Sequence, residues 1–389
     1  MTTGAFTFTT MERVIYGRPA SDEIVKEASR LGAERVFILA SGSLNRNTDE
    51  IAKVRDALGS KFVGLADDMP AHTPRDAVVR AAVAAAAVDA DLLVSFGGGS
   101  ATDGGKVMRI AMEHGITEAA GLDPYPVRTD ADGKSHIPTY RPPRVPQICV
   151  PTTLSGGEFN PLGGCTDPVS KLKQGYRLPE LVPATVILDP APTIHTPEWL
   201  WLSTGIRAVD HAVESLCSVR ASPYTDGTAM HALRLLQRGL SRVKQNANDL
   251  DARLDCQIGA WLSMAGVVAG VPMGASHGIG HVLGGTCDVP HGYTSCIMLP
   301  AVMRWNRSVN AERQALVAEA LGRPGDDAGD VLDDFIGGLG LPRRLSDVDI
   351  GPDQFALVAK NAMHDRWIHT NPRPIGSPDD VIEILQTAA

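Results

Sequence analysis

The chain has 389 residues, 43% of them hydrophobic and 21% charged, which is enough to bury two cores and too apolar for a disordered or fibrous protein. A formal net charge of -9 with no basic stripe excludes nucleic acid and other polyanions as partners on electrostatic grounds. No apolar run reaches the roughly eighteen residues of a membrane span, the N-terminus lacks a cationic start ahead of an apolar run, and six cysteines without a CxxC pair predict reduced thiols in a cytoplasmic protein.

In chain order, residues 5–16 alternate aromatic or β-branched residues with threonine and predict a strand or hairpin arm closed by Gly17. A helix N-capped by Ser21, with Ile24, Val25, Ala28 and Leu31 on one side, leads to a strand at 35–41. A second helix opens at Asn47 and Thr48 and runs through Ile51, Val54 and Leu58 to a strand at 61–67. An alanine-rich helix follows Pro74, and a continuous apolar strand occupies 91–97. This alternation predicts a parallel sheet covered on both faces. Between His114 and Pro146 apolar periodicity gives way to Pro, Asp, Gly, Lys and Tyr, the composition of a lid-like excursion. Strands resume at 147–153 and 184–190, and none is expected beyond. Helices are predicted over Trp199–Val219, Thr225–Lys244, Leu250–Ala269, Ala311–Leu321 and Ala328–Gly338, and from Pro378 to the end. The expected fold is an α/β N-terminal domain (1–190) with a parallel, Rossmann-like dinucleotide-binding sheet, followed by an all-α domain (191–389).

Two strand ends carry cradle chemistry. After the strand at 91–97 comes GGGSATDGGK, in which Gly97, Gly98 and Gly99 let the backbone turn sharply and bring N–H groups to an anion. Ser100 is placed to cap the helix, and Asp103 and Lys106 lie on it within reach of phosphate or ribose, although a solvated helix face accounts for them equally well. The run is neither GxGxxG nor a Walker loop. PTTLSGGEFN, at 151–160, sets Thr152, Thr153 and Ser155 at the end of another parallel strand. Two such loops fit a dinucleotide at a topological switch point.

The densest chemistry lies in SHGIGHVLGGTCDVPH, 276–291. His277 and His281 are four apart, on one helical face; Gly284 and Gly285 are expected to end that helix, and His291 follows on the returning segment behind Pro290. This is the spacing of a metal site or a proton-handling pocket.

Taken together, RVIYG (13–17), GGGSATD (97–103), PTT (151–153), VILDP (186–190), GIRAVDHAVE (205–214), SHGIGHVLGGTCDVPHG (276–292) and TNPRP (370–374) resemble the iron-containing alcohol dehydrogenase family, nearest its maleylacetate reductase branch. The resemblance implies NAD(P) on the N-terminal domain and a divalent metal, iron or zinc, on the helical one, with a small carbonyl or alcohol substrate in the cleft between them. It makes His211, His277 and His291 the metal ligands and His281 the proton relay beside the substrate. The family's fourth ligand, an Asp, falls at Arg207, and maleylacetate reductases commonly have Asn there and work without metal. A guanidinium has no lone pair to give and repels a divalent ion. The site therefore reads either as metal-free, with the histidines and Arg207 acting on the substrate oxygen or on a substrate carboxylate, or as the metal site of an alcohol dehydrogenase; Arg207 could also simply pair with Asp210 or Glu214 on its own helix. Family members that prefer NAD often carry Asp at the end of the second nucleotide strand, where this chain has Ser41, so NADP(H) use alongside NAD(H) is expected. The resemblance further implies a homodimer formed through Phe6–Val14 and a C-terminal segment with His364 and Asp365 near the site. A lyase of the dehydroquinate synthase type, and a silent cofactor-binding protein, are the competing functions.

Overall fold

The computed structural model describes residues 4–129, 135–167, 169 and 172–389. They fall into two compact units, Thr9–Thr196 and Pro197–Ala389, the latter joined by residues of the segment Met1–Phe8. The division comes six residues after the expected one at 190/191. The 3-10 turn Ala191–His195 belongs to the first unit, where Thr196 Oγ1 donates to Thr152 O at 2.7 Å.

The first unit runs β1 (Arg13–Tyr16), α1 (Ala20–Arg30), β2 (Val36–Ala40), α2 (Gly42–Asn47), α3 (Glu50–Leu58), β3 (Phe62–Ala66), α4 (Arg75–Ala87), β4 (Leu92–Gly97), α5 (Gly99–His114), β5 (Arg128–Thr129), β6 (Ser135–His136), β7 (Gln147–Pro151), β8 (Leu162–Thr166), β9 (Lys173–Arg177) and β10 (Thr185–Leu188). Six strands form one parallel sheet in the order β1-β10-β7-β4-β2-β3. Period-two alternation feeds two cores. Phe37, Leu39 and Leu93 face α4 and α5, whereas Val36, Ile38, Val94, Phe96, Ile148 and Ile187 face α1 and α3. From β2 the chain steps outward to β3 and then returns past β2 to β4, so the winding reverses between β2 and β4. That reversal is the switch point at which a doubly wound sheet opens a crevice at its strand ends.

Several expectations shift. Only Arg13–Tyr16 of the predicted arm 5–16 is strand; Phe6 instead packs edge-on to Phe8 and against Tyr224, with ring centroids 4.6 and 5.0 Å apart. Helix α1 starts behind Pro19 rather than at Ser21, its Ala20 N–H taken by Asp189 Oδ2 at 2.7 Å. Of the lid-like excursion expected over 114–146, residues 130–134 lie outside the described residues, and the described part is anchored at the far end of α5 from the cradle. Glu113, at the C-terminal end of α5, pairs with Arg141 and Arg144, and Tyr125 and Tyr140 pack on the α4–α5 core. Fourteen residues along α5 from Gly99, this anchor lies about 21 Å from the N-terminus. The hairpin β8–β9 is absent from the expected strands, because its glycines and lysines hide the period-two signal.

The second unit contains α6 (Glu198–Cys217), α7 (Pro223–Gln245), α8 (Leu250–Val268), α9 (Ala275–Cys287), α10 (His291–Ala320), α11 (Ala328–Gly338), α12 (Pro352–Ala362) and α13 (Pro378–Thr387). Helix α6 is the core element, its Trp201, Ile206, Val209, Val213 and Leu216 buried among α7, α8 and α10. The first half of α10 is not among the expected helices because it contains Pro300, and Asn310 has non-helical angles where the two halves meet. Helix α9 runs through Gly284 and Gly285 to end at Asp288, which adopts a left-handed φ of 57°. His291 therefore opens α10 and is not on an irregular return. Gly284 serves close approach instead, since a Cβ there would lie 2.8 Å from the His291 ring. Among the described residues, no helix is long and apolar enough to cross a membrane.

Candidate active site

At the switch point in the first unit, the turn after β4 is walled by the residues singled out from sequence. A Cβ on Gly97 would meet Ser41 Cβ at 3.1 Å, one on Gly98 would meet Thr153 Cγ2 at 3.0 Å, and one on Gly99 would meet Ser155 Oγ at 3.3 Å. Thr152 N donates to Gly97 O at 2.9 Å, tying the second loop to the first. No side chain caps α5. Its N-cap is Gly98, and Ser100 lies inside the first turn instead of capping it. The uncapped N–H groups and the aligned dipole are therefore available to a diphosphate, and the glycine cradle fits a dinucleotide.

One of the expected contacts is absent from this cradle. Lys106 is fully buried and donates to Gly157 O, Asn160 O and Leu162 O at 2.6–2.8 Å, so all three of its hydrogens hold the 151–162 loop rather than a phosphate. Asp103 faces that loop too, its Oδ1 3.6 Å from a Cβ placed on Gly157. Lys106→Met is accordingly expected to cost about 3 kcal/mol of stability in urea titration by stranding buried carbonyls.

In the second unit, α6 and α9 bring together His211, His277 and His281. The rings of His211 and His277 are 4.9 Å apart, those of His277 and His281 6.4 Å, and those of His281 and His291 6.2 Å. Two carboxylates set the imidazoles on α9. His277 Nδ1 donates to Glu214 Oε2 at 2.7 Å, and His281 Nδ1 donates to Asp365 Oδ2 at 2.9 Å. Each bond fixes a tautomer and leaves Nε2 for chemistry. Glu214 also accepts Gly274 N at 2.8 Å and Ser276 N at 2.9 Å, while Asn371 Oδ1 accepts Ala275 N at 3.1 Å. The first N–H groups of α9 are thus capped by α6 and by the TNPRP motif, whose part is to hold this helix. Glu214 carries no sequence signal as a site residue, because a glutamate one turn beyond Asp210 on a predicted helix looks like any solvated face residue; here it is buried.

Asp210, fully buried, accepts Ser295 Oγ at 2.7 Å and Ser276 Oγ at 2.9 Å, and lies 3.4 Å from His277 Nδ1. Burial pushes its carboxyl up, but His277, Arg207 and Ser295 outweigh that and hold it at about 2. Burial, with His277 and Arg207 beside it, pushes His211 well down, so it is neutral. Burial and Arg207 push His277 down, and Asp210 and Glu214 outweigh them to raise it. Arg207 keeps 11% of its side-chain exposure; Nη1 donates to Ser295 Oγ at 3.0 Å and lies 3.7 Å from Asp210 Oδ2. Burial lowers its affinity for the proton, yet a guanidinium remains cationic.

Whether these residues suit a divalent ion can be judged from the donors. His277 Nε2, His211 Nδ1 and Asp210 Oδ1 are buried without a hydrogen-bond partner among the described residues, which are donors a metal could take. Against that, the described residues whose ligand atoms lie within 4.8 Å of one another are Asp210, Glu214 and His277, and these already bind each other and Ser276, Ser295 and the α9 N–H groups. The expected trio His211, His277 and His291 is not drawn to one point, because His291 sits exposed on the far side of His281. A largely buried cation, Arg207, stands one turn from His211 on the same helix face. The set does not fit a divalent cation.

Comparison with known proteins bears on the whole chain. Residues 11–190 match the family model for iron-containing alcohol dehydrogenase and residues 201–389 that for the C-terminal part of the same family. The chain is 35% identical to dehydrogenase ALT3 of Alternaria alternata, over 92% of this chain and 99% of that protein. It is 30% identical to a maleylacetate reductase of Burkholderia cepacia, over 96% and 94%. The crystal structure of maleylacetate reductase from Agrobacterium tumefaciens superposes with a TM-score of 0.84 at 28% identity, covering 100% of this chain and 98% of that one.

Proposed function

Because the chain belongs to the iron-containing alcohol dehydrogenase family and is an NAD(P)-dependent oxidoreductase, we propose that it reduces the carbonyl of an aldehyde or oxo acid, in the manner of a maleylacetate reductase, without a metal. The observation that carries this is the pair of histidine–carboxylate dyads on α9 beside a largely buried arginine. Ser41, Gly97, Gly98, Gly99, Thr152, Thr153 and Ser155 would hold the dinucleotide, whose reduced nicotinamide supplies hydride when bound. As the carbonyl oxygen becomes negative, Arg207 offers fixed positive charge and His277 Nε2 a hydrogen bond. His281, oriented by Asp365, delivers the proton from Nε2. His211 stays neutral and lines the pocket.

The same reading takes the protein as a cytoplasmic homodimer and extends to cofactor choice. No carboxylate ends β2. Arg46 folds over Gly42 there, its guanidinium held by Asp67 at 2.9 Å, where a 2′-phosphate would sit. Arg46→Ala is expected to lower kcat/KM for NADPH about tenfold, the loss of one charge-assisted bond, and to spare NADH. The function itself is tested by following NAD(P)H absorbance with maleylacetate and a panel of small aldehydes and oxo acids. Turnover of at least one is expected, and none with any would sink the proposal.

A further inference from the structure

We propose that Arg207 is a built-in replacement for a metal ion, closing this site to divalent cations while supplying their charge. The proposal rests on the reductase reading, but it concerns only how the site is charged. Two buried imidazole nitrogens, His211 Nδ1 and His277 Nε2, lack partners among the described residues, as metal ligands do before the ion enters. Into that setting the chain places a cation one helical turn before His211.

Charge accounting explains how the exchange is tolerated. A carboxylate at position 207 with a divalent ion would sum to one positive charge, and the guanidinium alone sums to the same. The surrounding Asp210, Glu214 and His277 therefore meet the same total in either case. Arg207 is also fixed. Nη1 donates to Ser295 Oγ, and that hydroxyl donates on to Asp210 Oδ2, 2.7 Å away. A relay through a hydroxyl holds the cation while leaving most of its N–H groups uncommitted; Ser295 is its one hydrogen-bond acceptor among the described residues. A metal drawn to Asp210 would find Oδ2 taken by Ser276 and Ser295, and at the free Oδ1 would still have to approach a positive charge at close range.

The experiment uses the full chain, dialysed against Zn²⁺ alone or, without oxygen, Fe²⁺ alone, with metal per chain read by elemental analysis and affinity by competition with a chelating dye. Wild type is expected to hold far less than one ion per chain. Arg207→Asp is expected to take up one Zn²⁺ per chain at least about a hundredfold more tightly, and to lose it when His277→Gln is added. Should Arg207→Asp fail to fold, Arg207→Gln, which removes the cation without adding a ligand, is expected to gain about tenfold. One ion per wild-type chain, lost in His277→Gln, overturns the proposal, as does a folded Arg207→Asp or Arg207→Gln that binds no better than wild type. These outcomes are separable from failure of the function itself, which shows as absent NAD(P)H turnover whatever the metal content.

Discussion

With His281 replaced by alanine, kcat for carbonyl reduction falls about 10²–10⁴-fold, the range for loss of a positioned general acid, while NADPH affinity stays as in wild type. The acid must be the imidazolium, because Nδ1–H is committed to Asp365 and neutral His281 has only a lone pair at Nε2. Burial pushes His281 down, Asp365 pulls it up, and Arg207 and His277 add to the fall, leaving it below 6.5. The side chain keeps 37% of its exposure, so water moderates that fall. The sign follows. Reduction is fastest at acidic pH and declines as pH rises through the lowered value, whereas alcohol oxidation, which needs the neutral base, rises over the same interval. Asp365→Asn removes the carboxylate that raises His281 and should move both limbs to lower pH. A kcat profile unchanged in Asp365→Asn would show that His281 is not the titrating group.

The sheet and its cradle are legible in sequence because their causes are local. Continuous apolar strands such as DLLVSFG have few alternatives to a buried parallel strand, and Gly97–Gly99 can be read as a turn before any neighbour is known. The walls of that turn are less legible. Ser41 and Thr153 reach the glycines only because the winding reverses between β2 and β4, a relation of topology. Lys106 misleads for a related reason. A lysine on the helix behind a phosphate turn suggests a ligand contact, yet three carbonyls from a distant loop claim it. In the helical unit, the i,i+4 spacing of His277 and His281 is enough to predict a shared face, whereas their carboxylate partners come from α6 and from the segment after α12. His364 draws attention as a histidine near the site and is exposed; its neighbour Asp365 makes the contact. Pairings across about 60 to 85 residues leave no periodic trace.

Glu214→Ala is expected to cost about 3–5 kcal/mol, the penalty for breaking a buried charged network by removing one partner, against a total of about 5–15 kcal/mol for a domain. The carboxylate ends three donors at once: Gly274 N, Ser276 N and His277 Nδ1. Its loss uncaps α9 and leaves the imidazole of His277 facing Arg207 with Asp210 as its remaining carboxylate. Glu214→Gln keeps an acceptor for the backbone and should cost about 1–3 kcal/mol. Urea unfolding followed by circular dichroism reads both. Because the lost interaction is shared, adding His277→Ala to Glu214→Ala should cost less than the sum of the single changes, by about 1 kcal/mol or more; strict additivity would mean that Glu214 serves only the helix end. The dependence on pH has a definite sign. His277 is raised above its ordinary 6.5, so its contribution is fully present below that pH and is lost as pH rises through the folded value. Asp210 is lowered to about 2 from 3.8, so its contribution is present above 3.8 and is lost as pH falls toward 2. Stability from this cluster should therefore be greatest between about pH 4 and 6.5, and Glu214→Ala should flatten its alkaline side.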